Sequence, residues 1–229
     1  MNIIELNELT FRWPTNQEVT ISIDHLSIEQ GKKVFLHGPS GSGKSTLLSL
    51  LTGINTPNQG SVNILSTSLG ALNAAGRDQF RAQHIGYIYQ QFNLIPYLNV
   101  IENVTLPCRL SKQRGGASID VHNSQALTLL TKLGVDEKLV SRKVTDLSIG
   151  QQQRVAAARA LMGAPELIIA DEPCSALDDA NAQSFLELLT KQVEETHSTL
   201  VFVSHDLRLA KQFDYSLSLN DINKTQGSE

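Results

Sequence analysis

Cysteine is nearly absent from the chain: its 229 residues hold only Cys108 and Cys174. Two cysteines so far apart make no disulfide framework and point to reduced thiols in a cytosolic protein. Basic runs are missing too, and the net charge is -4. Composition therefore offers no electrostatic case for nucleic acid as a partner. No stretch approaches the roughly 18 apolar residues of a membrane span. Met1-Asn2-Ile3-Ile4-Glu5 lacks the basic-then-apolar pattern of a signal peptide. A role at a membrane would need another chain to span it. What is present is 41% hydrophobic content, enough for a real core in one large domain or two small ones.

The most informative stretch is Gly38-Pro39-Ser40-Gly41-Ser42-Gly43-Lys44-Ser45-Thr46, which reads G-x-x-x-x-G-K-S, the phosphate-binding P-loop. The apolar Lys33-Val34-Phe35-Leu36-His37 predicts a strand before it, and Thr46-Leu47-Leu48-Ser49-Leu50-Leu51 a buried helix after it. Gly41 and Gly43 let the backbone curl so that successive N–H groups face one oxyanion. The helix N-terminus adds a partial positive charge. Lys44 supplies a full charge for the β- and γ-phosphates, and Ser45 a hydroxyl for Mg²⁺. The bland alternative is a chance Gly/Ser-rich turn.

Alternation predicts strands over 3–11 and 19–28, paired antiparallel across the Pro14-Thr15-Asn16 turn, with the register shifting at Asp24-His25. A further strand is expected over 60–65, a weak helix over 73–83 and a strand over 85–89. Val100, Val104 and Leu106 predict one or two helical turns stopped by Pro107. The polar, Gly-rich 111–117 reads as a mobile loop. Ala126, Leu127, Leu130 and Leu133 recur at helical spacing until Gly134. An amphipathic helix is expected over 151–162, so that 91–160 is mostly helical. Leu167-Ile168-Ile169-Ala170 reads as a strand buried on both faces of a parallel sheet. A helix over 179–195, a strand over 199–204, a short helix over 207–212 and a strand over 215–219 follow, and 220–229 is expected to fray. Strands alternating with helices argue for an α/β fold with a helix-covered parallel sheet. No internal repeat is visible.

Asp171-Glu172 follows the buried strand directly. The strand would deliver Asp171 beside the P-loop, where its carboxylate can hold Mg²⁺ directly or through water. Glu172 points elsewhere and could polarise an attacking water. Two acids leaving a strand at the surface is the alternative.

Leu147-Ser148-Ile149-Gly150-Gln151-Gln152-Gln153-Arg154 resembles the signature motif of ATP-binding-cassette (ABC) ATPases. The rest of that family's set follows in order over roughly 3–220. Trp13 fits the adenine-stacking aromatic, with Phe11 as the alternative. Gln90 fits the Q-loop glutamine, with Gln91 the next register. Asp178, in Ser175-Ala176-Leu177-Asp178, fits the D-loop, and His205 the switch histidine. The resemblance implies an α/β P-loop NTPase of ABC type: a mostly parallel core, an antiparallel β subdomain and a helical subdomain of about 91–160, all in one domain over 1–229. It implies ATP and Mg²⁺ as cofactors. Two copies would close head to tail on two ATP molecules, with Ser148, Gly150 and Gln151 on the γ-phosphate in trans and His205 in cis. Gln90 would sit near Mg²⁺ and the water. The similarity of 81–96 and 99–107 extends to the bacterial branch of macrolide-export, lipoprotein-releasing and cell-division ATPases.

This chain departs from the family pattern twice. Ile149 stands where the family usually has Gly, so the backbone must hold φ < 0 there with the side chain turned from the nucleotide. Cys174 replaces the usual Thr and reads as a small buried near-isostere. Ser148 with Gln151 also makes an S-x-x-Q capping box, compatible with the signature role.

The resemblance implies an ATPase subunit working with a separate membrane permease, docked on the inner face of the membrane. A mechanotransmitting ATPase with no transported substrate is the alternative. A soluble ABC protein of translation or repair fits poorly with a single cassette, no heptad run and an acidic chain. A P-loop kinase or GTPase would leave the signature unexplained.

Overall fold

The computed structural model describes residues 1–16 and 18–226. They fall into two compact units, one comprising Met1–Arg81 and the chain from Val201 on, the other Ala82–Leu200.

In the first unit, β1 (Asn2–Phe11) and β2 (Ile21–Glu29) pair antiparallel, Ile4 opposite Ile28 and Phe11 opposite Ile21. The shift expected at Asp24-His25 is in the side chains, not in this pairing. Both strands expose two consecutive residues at the same level, Asn7-Glu8 and Asp24-His25. Glu8 takes φ 49, and the apolar face changes parity in both strands together. After β3 (Lys33–His37) and α1 (Lys44–Leu51), β4 (Gln59–Ile64) and β5 (Thr67–Ser68) complete an antiparallel sheet of order β2-β1-β4-β5. Helix α2 (Ala74–His84) closes the segment.

The second unit opens with β6 (Ile85–Ile88), followed by α3 (Val100–Leu110), α4 (Ile119–Lys132) and α5 (Ile149–Leu161). Strand β7 (Leu167–Asp171), α6 (Asp179–Thr196) and β8 (Thr199–Val203) follow. Strands β6 and β7 are parallel, with Ile85 opposite Leu167, and β8 follows β7 in order. All four apolar residues of β7 are buried, as its unbroken run requires.

Helix α5 is less amphipathic than its sequence suggests. Every residue from Val155 to Leu161 is buried. Its alanines let it lie almost on the backbone of β6: a Cβ on Gly86 would fall 2.1 Å from the Ala160 carbonyl oxygen.

Pro107 does not stop α3, which runs on to Leu110. Proline removes one hydrogen bond, but Val100, Val104 and Cys108 are buried on one face, and that packing outweighs the lost bond. The 111–117 stretch is a loop, as expected, built of turns and pinned to the rest of its unit. Gly115 N–H donates to Ser111 O at 2.7 Å, and the buried Arg114 donates through Nε to Gln83 O at 2.9 Å.

The chain returns to the first unit through Val201–Val203 of β8, then β9 (Tyr215–Ser218), which pairs parallel with β3, Val34 opposite Tyr215. Phe35, Phe202 and Phe213 form a triangle of rings 5.2 to 6.3 Å apart beneath these strands. The expected frayed tail is docked as far as it is described. Helix α7 (Leu219–Ile222) follows β9 directly. Asn223, 2% exposed, accepts from Ser22 N–H at 2.8 Å and donates to Thr20 O at 3.0 Å. The end of that tail, 227–229, lies outside the described residues. Among the described residues no helix is long and apolar enough to cross a membrane.

Candidate functional site

In the first unit, β3 leads straight into the loop 38–43 and α1 leads out of it. Gly41 and Gly43 take φ 80 and φ 98, values open to glycine and costly for other residues. A Cβ on Gly43 would also fall 2.9 Å from Ile21 Cδ1. The N-terminus of α1 has no side-chain cap and no acidic residue in its first turn. Its amides and its dipole are therefore left for an anion. Lys44 Nζ donates to Gly38 O at 2.8 Å and Pro39 O at 2.9 Å, which holds the ammonium over the loop. Ser42 Oγ is buried with no hydrogen-bond partner.

His205 shares this unit. Ser204 N–H donates to Leu36 O at 3.2 Å, so the residues after β8 run beside the start of the loop. Trp13 is 38% exposed and meets the buried Phe11 edge-on, rings 5.1 Å apart. Of the two candidate stackers, only Trp13 offers a free face.

In the second unit, β7 ends on Asp171. Tyr87 Oη donates to Asp171 Oδ2 at 3.3 Å. Burial, then the Asp171 charge, pushes the Tyr87 phenol well above its ordinary range, so it stays a donor to the carboxylate. Glu172 takes φ 45, and the turn after it is fixed from α5: Gln153 Nε2 donates to Pro173 O at 2.7 Å. Cys174 is buried, as a stand-in for threonine should be.

Gln90 is exposed just beyond β6. The turn behind it carries left-handed residues, Phe92 at φ 60 and Asn93 at φ 48. Arg159 of α5 donates to both carbonyl oxygens at 2.6 Å. Asn103, fully buried, braces the same segment by accepting from Ile95 N–H at 2.8 Å and donating to Ile95 O at 3.1 Å.

Ser148 is the N-cap of α5, and the capping box is complete. Gln151 N–H donates to Ser148 Oγ at 3.4 Å, and Ser148 N–H to Gln151 Oε1 at 3.0 Å. Ile149 is the first helical residue, keeps negative φ, and is 54% exposed. Gly150 follows it in the same first turn. Asp178 caps α6, accepting from Asn181 N–H at 2.9 Å and Asn181 Nδ2 at 2.7 Å. The first of these bonds is the main reason its carboxyl is held below the ordinary range.

The structure thus groups Trp13, the loop 38–46 and His205 in one unit. It groups Gln90, Asp171, Glu172, Asp178 and the signature residues in the other. Sequence reading missed the residues that hold these in place: Tyr87, Asn103, Gln153 and Arg159. Arg159 carried a signal, a lone charge inside Ala156-Ala157-Ala158-Arg159-Ala160.

A glycine loop on an uncapped helix N-terminus defines a P-loop nucleotide-binding protein. The family described as "ABC transporter" matches residues 22–175, more than half of the sequence. The chain belongs to that family and is an ABC ATPase cassette. It is 38% identical over 221 residues to the uncharacterized ABC transporter ATP-binding protein MJ0796 of Methanocaldococcus jannaschii, covering 96% of this chain and 94% of the relative. It is 40% identical over 194 residues to the lipoprotein-releasing system ATP-binding protein LolD of Hydrogenovibrio crunogenus, covering 85% and 82%. A solved dimer of MJ0796 in a post-hydrolysis state, bound to ADP and Pi, superposes with a TM-score of 0.85 at 36% identity, covering 97% of this chain and 95% of that one.

Proposed function

We propose that this chain binds and hydrolyses ATP as a dimer and drives conformational change in a separate membrane permease. The observation that carries the reading is the loop 38–46, with its uncapped helix N-terminus and Lys44 held across it. The dimeric, ADP- and Pi-bound state of MJ0796 supports the two-subunit form and the reaction.

The roles follow from the residue chemistry. Gly38 to Gly43 and the first amides of α1 wrap the phosphates. Lys44 exchanges its bonds to Gly38 and Pro39 for bonds to the β- and γ-phosphates. Trp13 stacks on the adenine. Glu172 accepts a proton from the attacking water, which Gln90 and His205 help to orient. Ser148, Gly150 and Gln151 complete the γ-phosphate site of the second subunit, and Asp178 lies at that junction.

Ser45, Asp171 and Gln90 would hold Mg²⁺. Among the described residues no cluster of three or more His, Cys, Asp or Glu makes a protein cage. A hydroxyl, one carboxylate and one amide are the sparse donor set that Mg²⁺ accepts when phosphates and water fill its other positions. The ion would neutralise phosphate charge as it develops. All these residues act within one ABC domain whose helical portion spans about 91–160. The chain would work at the inner face of the membrane through its permease.

Titration of Lys44→Ala with a fluorescent ATP analogue tests the reading. Affinity should fall by at least ten-fold, because the β/γ charge loses its partner. Unchanged affinity would overturn it.

A further inference from the structure

Within the first unit, the segment after β9 reaches both ends of the phosphate loop. Strand β9 runs parallel to β3 with Ser218 opposite His37, so the next residue, Leu219, arrives beside Gly38. Leu219 is fully buried, and a Cβ on Gly38 would fall 3.4 Å from Leu219 Cβ. Four residues on, Asn223 N–H donates to Leu219 O at 2.8 Å. Its side chain turns to the start of β2, an edge strand of the antiparallel sheet. Oδ1 accepts from Ser22 N–H at 2.8 Å, and Nδ2 donates to Thr20 O at 3.0 Å. The amide thus pairs with β2 as the peptide of another strand would.

Thr20 and Ile21 are also the residues that meet the far end of the loop. A Cβ on Gly43 would fall 2.9 Å from Ile21 Cδ1 and 3.5 Å from Thr20 O. One carbonyl oxygen, that of Thr20, therefore both takes the Asn223 bond and sits against Gly43. Such outside contacts matter because the loop holds itself poorly. Gly41 and Gly43 lie at φ 80 and φ 98 with no side chains to pin them, and glycine has the most conformational freedom to lose. The bonds from Lys44 to Gly38 O and Pro39 O are those it exchanges for the phosphates.

We propose that Asn223 is a positioning residue for nucleotide binding: with Leu219 it clamps the loop 38–43 at Gly38 and Gly43 in the conformation that takes the phosphates. This rests on the reading of that loop as the ATP site. Without the two side-chain bonds, a smaller fraction of the chain holds the competent loop, and apparent affinity falls with that fraction. Bound phosphates then hold the loop themselves, so turnover at saturating ATP is preserved. Linkage makes the coupling reciprocal: nucleotide must in turn tighten the docking of Asn223 on β2.

Two measurements test this. Asn223→Ala should raise the Kd for a fluorescent ATP analogue, and the KM of the ATPase, by at least about five-fold. Its kcat at saturating ATP should stay within about two-fold of wild type. Loss of folded protein alone would lower the apparent kcat and leave KM where it was. Because the variant alters a buried residue and could fail to fold, the second measurement uses the unaltered chain: hydrogen exchange with and without a non-hydrolysable Mg-ATP analogue. Nucleotide should slow exchange of the Ser22 and Asn223 amides, along with those of 38–46, by at least about five-fold. Unchanged Kd and KM in Asn223→Ala, a fall in kcat with KM unchanged, or protection of the loop with none at Ser22 and Asn223 would each overturn the proposal. Failure of the ATP reading beneath it would look different: the wild-type loop itself would gain no protection.

Discussion

Gln153 donates its side-chain N–H to the carbonyl oxygen of Pro173 at 2.7 Å, and both residues are buried. The helix capped by Ser148 therefore also fixes the turn directly after Glu172. Signature and carboxylate are mechanically joined within one unit. Gln153→Leu removes that bond and leaves the Pro173 carbonyl unpaired, but it also removes the unpartnered Gln153 Oε1. The net loss of stability should be roughly 1 kcal/mol. Turnover should fall while ATP affinity holds, because Glu172 loses the support of its turn. Denaturant melts alongside kcat and nucleotide Kd check this; wild-type kcat would show that the link does not matter.

Arg159 does the same for the turn behind Gln90. Its two bonds hold the left-handed Phe92 and Asn93. Burial pushes its guanidinium pKa down, a desolvation cost that offsets part of the gain. Arg159→Met should still destabilise by roughly 2 kcal/mol, because two carbonyl oxygens lose charged donors at once. Hydrogen exchange of the amides at 92–95 should speed up more than that of β6. Equal acceleration everywhere would mean a global effect only.

Ile149→Gly should be tolerated or raise turnover. The residue is helical, mostly exposed, and outside the capping-box bonds of Ser148 and Gln151. Glycine at the first helical position loses some propensity and only the contacts of a half-exposed side chain. Steady-state ATPase assays decide; a collapse of activity would show that the Ile149 side chain is needed.

The parts legible in the sequence were those set by local pattern. The P-loop strand is found at Lys33–His37 as expected, and the buried strand before Asp171 ends where its apolar run ends. The capping box at Ser148 follows from two residues three apart. What was not legible depended on distant packing. Pro107 reads as a stop because its lost hydrogen bond is local, while the core that carries α3 past it is not. The 111–117 loop is legible from its Gly-rich composition, but the burial of Arg114 within it is not. Asn223 reads as part of a polar tail, yet its side chain bonds the backbone at Thr20 and Ser22, about 200 positions away.

The most direct measurement is sedimentation of Glu172→Gln with and without Mg-ATP. A base lost without loss of the phosphate clasp should leave ATP bound and uncleaved, and the protein should run as a dimer carrying two ATP molecules. Without nucleotide it should run as a monomer. A monomer at saturating Mg-ATP would contradict the account.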